Sequence, residues 1–458
     1  MIARSQARLE EAYADSFPGG LVRYPVQTCA TMVGRLAGVW DPATKAPTRR
    51  FTPEEDAFVS GECLLCKIDW RYWCERYAFL NTGGTGLQRF TPLWETQEIV
   101  LQELARLQDE RLATNHPDGL LINCLKARQG GISSMGAALV THRVTTQTHV
   151  RALLASDVPD NSGSEGLFGM YERLVANLPW WLAPPEKFHQ KNQHIVFETG
   201  SAILVESGKS MKGGLQDKGG SKGQLGRSKT FSTVHLTELS TWEAPEQIDD
   251  SLMPAVPRSS RTLGIKESTA KGRHNWHHDD WLLGQRGRGR WTNVFIPWYA
   301  EETKYWLPAP TAWVPSEDTL VHARKAADEG PRYLHRPVTL NRHQLYWYEE
   351  TRATYAEKGQ LARFLEEYAA DPESCFQASG MSIFTLDQLQ YLARLAKPLI
   401  DCWSVAPAGD LSAFKAEEIR LVQEARRTAQ ARQEALRTEH PLSDPDGRSA
   451  DEVAASRG

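Results

Sequence analysis

Apolar residues recur along the 458-residue chain in two patterns. Short, mainly apolar runs suit strands buried on both faces. Such runs occur at Leu120–Leu125, within His149–Ser156, at Phe231–Leu236, within Arg261–Ser268 and before Pro297. A pair at His194–Glu198 and Ser201–Glu206, joined at Thr199-Gly200, reads as a hairpin. Apolar and aromatic residues at helical spacing mark the second pattern. It covers Asp69–Phe79, Gln97 to about Arg111, Ser133–Val144, Ser164–Leu178 and much of 342–369. Strands alternating with helices predict an α/β fold with a mainly parallel central sheet flanked by helices. Residues 1–65 are mixed in character and define no clear unit, and 66–385 carry the alternating pattern. In 386–458, Lys415–Arg437 is rich in Ala, Glu, Arg and Gln and predicts a solvated C-terminal helix. The final residues, from His440, read as a disordered tail.

Composition narrows the class. Hydrophobic residues make up 41% and charged residues 24%, the balance of a globular protein. No apolar run approaches the roughly 20 residues that span a bilayer, so no membrane partner is expected. The N-terminus lacks the apolar segment of a secretory signal, and a cytoplasmic site of action follows as the expectation. Net charge is −4, so nucleic acid would have to be held by local patches. The seven cysteines are scattered. Cys63-x-x-Cys66, with Cys74 nearby, has no matching second pair for a four-ligand zinc site, and packing as small hydrophobes is expected. The stretch His274–Asp280 holds three histidines and two aspartates, a weak metal candidate without a defined supporting shell.

The candidate chemistry centres on Lys126-Ala127-Arg128-Gln129-Gly130-Gly131-Ile132-Ser133-Ser134, between a predicted strand and helix. Backbone N–H groups at a glycine turn and the positive end of a helix together make an anion site. The usual phosphate-loop pattern places a lysine between the last glycine and the hydroxyl residue. Ile132 fills that slot, while Lys126 and Arg128 stand earlier and Ser133 keeps the hydroxyl that would face Mg²⁺. Further on, Phe231–Ser240 is a strand ending in Thr237-Glu238. Phosphate-loop enzymes end this strand with an aspartate for Mg²⁺ followed by a glutamate that orients water. Here Thr237 could hold only one of the ion's waters, which leaves Glu238 as the available general base. The Gly/Lys-rich stretch 208–229, with Lys222 and Arg227, reads as a loop suited to phosphates of DNA or of a neighbouring subunit's nucleotide. A strand ending in Glu267-Ser268-Thr269-Ala270 follows.

In their order and spacing these segments resemble the large subunit of tailed-bacteriophage terminases over roughly residues 66–385. The resemblance rests on Trp70–Tyr77, Gln97, Lys126–Ser133, Gly226–Ser228, Val234–Glu238, Glu267–Gly272, Phe295–Trp298 and Phe376–Gly380. It implies a P-loop NTPase of the additional-strand, RecA-like kind, with a helical lid inside the motor domain. It further implies ATP as substrate and Mg²⁺ as cofactor, Gln97 at the adenine and Lys126 in place of the missing lysine. Arg128 or Arg227 would be the arginine finger, Glu238 the catalytic carboxylate, and Glu267–Ala270 the coupling motif. Expected partners are double-stranded DNA, a portal protein, the small terminase subunit and further copies in a ring, in the cytoplasm of the infected bacterial host. No nuclease domain is expected in residues 386–458, which show no alternating strands. Two other functions stay open: a non-hydrolysing portal- or DNA-binding scaffold, and a helicase-like DNA translocase.

Overall fold

The computed structural model describes residues 21–82, 86–158, 166–190, 193–207, 229–273 and 275–376. The 208–228 stretch with Lys222 and Arg227, the Gly380 end of the last motif, and segment 386–458 lie outside the described residues.

Eight strands form the central sheet. They are β1 (Leu120–Lys126), β2 (Arg151–Ser156), β3 (Glu186–Gln190), β4 (His194–Phe197), β5 (Ala202–Ser207), β6 (Thr233–Thr237), β7 (Leu263–Ser268) and β8 (Thr292–Ile296). Their order across the sheet is β8-β1-β7-β6-β2-β5-β4-β3. From β8 to β5 all neighbours are parallel, while β4 and β3 extend the edge as an antiparallel pair. The strand following Glu238 in sequence, β7, therefore lies between the glycine-turn strand β1 and the glutamate strand β6.

Both faces of the parallel part are covered, which is why its strands read as continuous apolar runs. Alternate residues divide between the faces. Ile122, Cys124, Leu154, Ile265 and Val294 face one large core. Leu121, Leu153, Val234 and Leu236 pack with Leu239, Trp242, Ile248 and Leu252 on the other side. The large core is built by α1 (Val26–Ala37), α2 (Pro53–Ile68), α3 (Trp70–Tyr77), α4 (Glu95–Ala113), α5 (Ile132–Thr146) and α6 (Leu167–Ala176). Residues 26–68, which carried little pattern, thus share a core with the sheet through Cys29, Leu36, Phe58 and Leu65. The aromatic helix expected at Asp69–Phe79 is α3, begun by an Asp69 cap on the Tyr72 N–H and buried through Trp70, Tyr72 and Trp73.

Four further helices of at least seven residues are α7 (Trp276–Gln285), α8 (Glu317–Leu334), α9 (Arg342–Glu357) and α10 (Leu361–Glu367). Trp298, fully buried just beyond β8, meets Tyr305, Trp347 and Tyr348, and Tyr348 meets Phe364. This aromatic chain fastens α9 and α10 near the end of β8.

Small residues let α5 lie close on the sheet. At Gly136 a Cβ would stand 2.5 Å from the His235 ring, which Tyr171 fixes through its hydroxyl at 2.7 Å from Nδ1. Neither partner has room to retreat, since both are fully buried. Gly136→Ala is therefore expected to lower stability by about 1–3 kcal/mol in urea unfolding, the usual cost of overpacking.

Candidate functional site

The site lies where β1, β7 and β6 end. Beyond Lys126 the chain turns sharply, with Gln129 and Gly131 in the left-handed region at φ 57° and 71°. Four successive carbonyl oxygens of this turn each accept a bond from a different side chain. Tyr305 donates its hydroxyl to Arg128 and Lys304 its ammonium to Gln129. The Thr96 hydroxyl reaches Gly130 at 2.6 Å and Gln97 Nε2 reaches Gly131 at 3.0 Å. Glu301 in turn accepts the Thr96 N–H and hydroxyl, each at 2.9 Å. The turn is thus held rigidly from both α4 and the segment after β8. At Gly131 an added Cβ would lie 2.8 Å from Gln97 Nε2 and 2.9 Å from Trp94, in a backbone conformation that costs alanine a further 1–2 kcal/mol or so. At Gly130 the nearest atom would be 3.6 Å away. Gly131→Ala should therefore destabilise by about 2–4 kcal/mol and Gly130→Ala by less than about 1, compared by thermal unfolding.

α5 starts directly after Gly131. Its first residue, Ile132, is buried in the large core, so the slot usually held by lysine is here a packing position. The ammonium comes from the strand end instead: Lys126 Nζ lies 3.0 Å from Glu267 Oε2. Ser133, one residue into α5, donates its hydroxyl to Glu267 Oε1 at 2.7 Å, and Thr237 stands opposite Glu267 in register on β6. Glu267 is fully buried and Lys126 nearly so. Burial pushes the Glu267 carboxyl up, but Lys126, then His235 and the neighbouring hydroxyls, outweigh it and hold it below the ordinary carboxylate value. Burial pulls Lys126 down, and Glu267 and Glu238 reverse this to leave it raised.

Glu238 terminates β6 in the left-handed conformation, φ 57° and ψ 39°. Strain of this kind costs about 1–3 kcal/mol and gathers at functional sites. The Glu238 N–H donates to the Glu267 carbonyl at 2.9 Å, and a turn follows through Thr241. Burial raises the Glu238 carboxyl above its ordinary value; Lys126 and Arg128 oppose this, while Glu267 and Asp157 add to it. Ser268 joins the same turn, accepting the Ser240 N–H at 3.0 Å. Ala270 is buried against the far face with Leu125 and Phe295.

Several sequence expectations change in detail. Glu267 was expected only as part of a coupling motif, yet it touches Lys126 and Ser133 directly. Register explains the difference: Thr237 and Glu267 are direct partners across β6 and β7, a relation that spacing along the chain does not encode. Gln97, expected at an adenine edge, spends its amide on the protein, accepting the Trp94 N–H and donating to Gly131. Arg128 is half exposed and ion-paired to Glu367 of α10 at 2.8 Å, and its backbone N–H bonds the Glu367 carbonyl. Glu367, Lys304, Tyr305, Thr96 and Glu301 had no sequence signal, because each acts on the turn from a distant part of the chain.

The other metal candidates are occupied with packing. Cys66 and Cys74 are buried, and burial pushes both thiols well up. Cys63 donates to the Trp181 carbonyl at 3.3 Å. His277 and His278 lie edge-on to Phe376, and Asp280 pairs with the buried Lys266 at 2.5 Å. Among the described residues no group of three or more His, Cys, Asp and Glu side chains could hold a metal ion.

No family model matches the chain, and no curated protein matches it. Solved structures do. The Thermus phage P74-26 large terminase ATPase domain is 15% identical, with a TM-score of 0.33 over 56% of this chain and 88% of that one. The HK97 bacteriophage large terminase is 14% identical, with a TM-score of 0.37 over 60% of this chain and 54% of that one. A large terminase from a thermophilic bacteriophage, in complex with ADP, is 14% identical, with a TM-score of 0.32 over 45% and 46%. All three are large terminases of bacteriophages or, in the first case, the ATPase domain of one.

Proposed function

We propose that the chain is an ATP-hydrolysing motor subunit of a phage terminase, of the additional-strand P-loop class, which drives double-stranded DNA into a procapsid. The observation that carries this reading is the convergence of Lys126, Ser133, Glu267 and Glu238 beside one rigid glycine turn, at the ends of neighbouring parallel strands. The first N–H groups of α5 have no partners within the helix and form the edge to which phosphates bind. Lys126 neutralises the β- and γ-phosphates from the strand end. Arg128, tethered by Glu367, serves as the finger on the γ-phosphate, with Arg227 as a candidate in trans. Glu238 orients the attacking water and accepts its proton, in a pocket whose burial raises its basicity. Gln97 acts from the loop side by fixing Gly131, in place of the two-ended adenine contact expected from the sequence.

A magnesium ion fits the oxygen donors here, a serine hydroxyl beside a buried carboxylate. Ser133 would hold it, with Thr237 on one of its waters; when bound it neutralises charge on the transferred phosphoryl group. Ser268, bonded to the turn after Glu238, is suited to pass loss of the γ-phosphate from the site into β7, the coupling role of Glu267–Ala270. Lys222 and Arg227 are proposed DNA or trans-nucleotide contacts. A portal protein, the small subunit and a ring of copies complete the proposed assembly.

The test is ATP turnover by the full chain with and without duplex DNA at increasing salt. Duplex-stimulated turnover that weakens with salt, as phosphate contacts require, supports the motor. Turnover indifferent to duplex at all salt concentrations refutes translocation.

A further inference from the structure

The sequence leaves position 237 without the carboxylate that phosphate-loop enzymes place at the end of this strand to hold Mg²⁺ together with the loop serine or threonine. Directly beside it, in register on the adjacent parallel strand, stands Glu267. Neighbouring strands are about 4.8 Å apart, so side chains of paired residues on one face reach the same point. The Glu267 carboxylate meets the loop hydroxyl itself, Ser133 Oγ, at 2.7 Å. Thr237 is its uncharged partner across the two strands, and an aspartate at 237 would instead set two like charges side by side.

From these contacts we infer that Glu267 is the metal-holding carboxylate of the site, relocated by one strand from β6 to β7, with Thr237 left as its uncharged neighbour in register. The inference rests on the nucleotide-binding reading above. It removes Glu267 from the coupling motif, which shortens to Ser268–Ala270. It also explains why the described residues contain no pre-formed three-ligand metal cluster. One carboxylate and one hydroxyl suffice for Mg²⁺ only when phosphate oxygens and waters complete the shell, so the ion binds with the nucleotide. Fully buried, Glu267 has the Lys126 ammonium at 3.0 Å and the His235 ring at 3.9 Å, and a second carboxylate at 237 would have to share them.

The experiment is calorimetric titration of the full chain with ADP, once in Mg²⁺ and once in EDTA. Wild type should bind at least tenfold more tightly in Mg²⁺. Glu267→Gln should bind ADP equally well in the two conditions, and Thr237→Asp with Glu267→Gln should regain most of the tightening, because it restores the carboxylate on β6. If Glu267→Gln fails to fold, Glu267→Asp keeps the charge facing Lys126 and should lose at least threefold of the tightening. Full Mg²⁺ tightening retained in Glu267→Gln, or in Glu267→Asp where that variant is used, overturns the relocation while leaving nucleotide binding intact. Absence of ADP binding by wild type in both conditions overturns the nucleotide reading itself, and the relocation with it.

Discussion

Lys126→Ala should lose about 3–5 kcal/mol of stability near neutral pH, together with nucleotide binding. The reason is the partner it abandons. Glu267 is fully buried, and removing one member of a buried ion pair leaves an uncompensated charge. A loss of that size is a large share of the 5–15 kcal/mol or so that holds a typical domain together. The pH dependence separates this cause from simple loss of packing. In wild type the Glu267 carboxyl is held below its ordinary value, so its contribution is present above that value and declines as pH falls through the folded one. In the variant, burial without Lys126 raises the same carboxyl, so acid relieves the cost. The gap between wild type and variant should therefore narrow in denaturant titrations as pH drops below the ordinary carboxylate range. A gap that stays constant from neutral pH into acid would point to packing alone. At the alkaline end the raised Lys126 ammonium loses its contribution only above the ordinary lysine value.

Glu238→Gln carries the largest expected effect on turnover. Gln keeps the size of the side chain and the end of β6, but it cannot take a proton from water. General-base contributions are typically 10²–10⁴-fold, and ATP hydrolysis should fall by about that factor while ATP affinity stays within a few fold. Because burial raises the Glu238 carboxyl, the ionised base is lost earlier on acidification than for an exposed glutamate. Wild-type turnover should decline on the acid side from a pH above the ordinary carboxylate value, and the residual activity of Glu238→Gln should lack that limb.

The parts of the fold that were legible before the structure are those whose burial leaves a one-dimensional trace. Strands β1, β2, β6 and β7 are buried on both faces and appear as short, mainly apolar runs, broken in β6 by His235 and in β7 by Lys266; the β4–β5 hairpin shows its Thr199-Gly200 turn, with Gly200 at φ 77°. The edge strand β3 left no trace, because all five of its residues are exposed and pair only with β4. Helices α1 and α2 do leave a trace, Cys29, Met32 and Leu36 at helical spacing in α1 and the Thr52–Glu55 capping box that opens α2, which the mixed composition around them obscures. At the site, the glycine turn, Lys126, Ser133 and Glu238 were legible because each sits at a fixed offset from a strand end. The place of Glu267 was not, since it depends on which strand lies beside β6 and in what register. The supports of the turn, from Thr96 to Glu367, were hidden because the aromatic chain through Trp298 brings them in from distant sequence.

The ion pair between Arg128 and Glu367 links the turn to α10, and through the aromatic chain to the end of β8. A nucleotide that draws Arg128 away would compete with Glu367 for the guanidinium. If Arg128 is the proposed finger, this contact would join phosphate binding to the helices beyond the sheet.

The most direct measurement of the central claim is ATP binding and ATP hydrolysis by the full chain, wild type beside Glu238→Gln, with Mg²⁺ and duplex DNA present. The account predicts binding by both proteins and turnover by wild type alone. Equal turnover by the two proteins, or neither binding nor turnover by wild type, would contradict it.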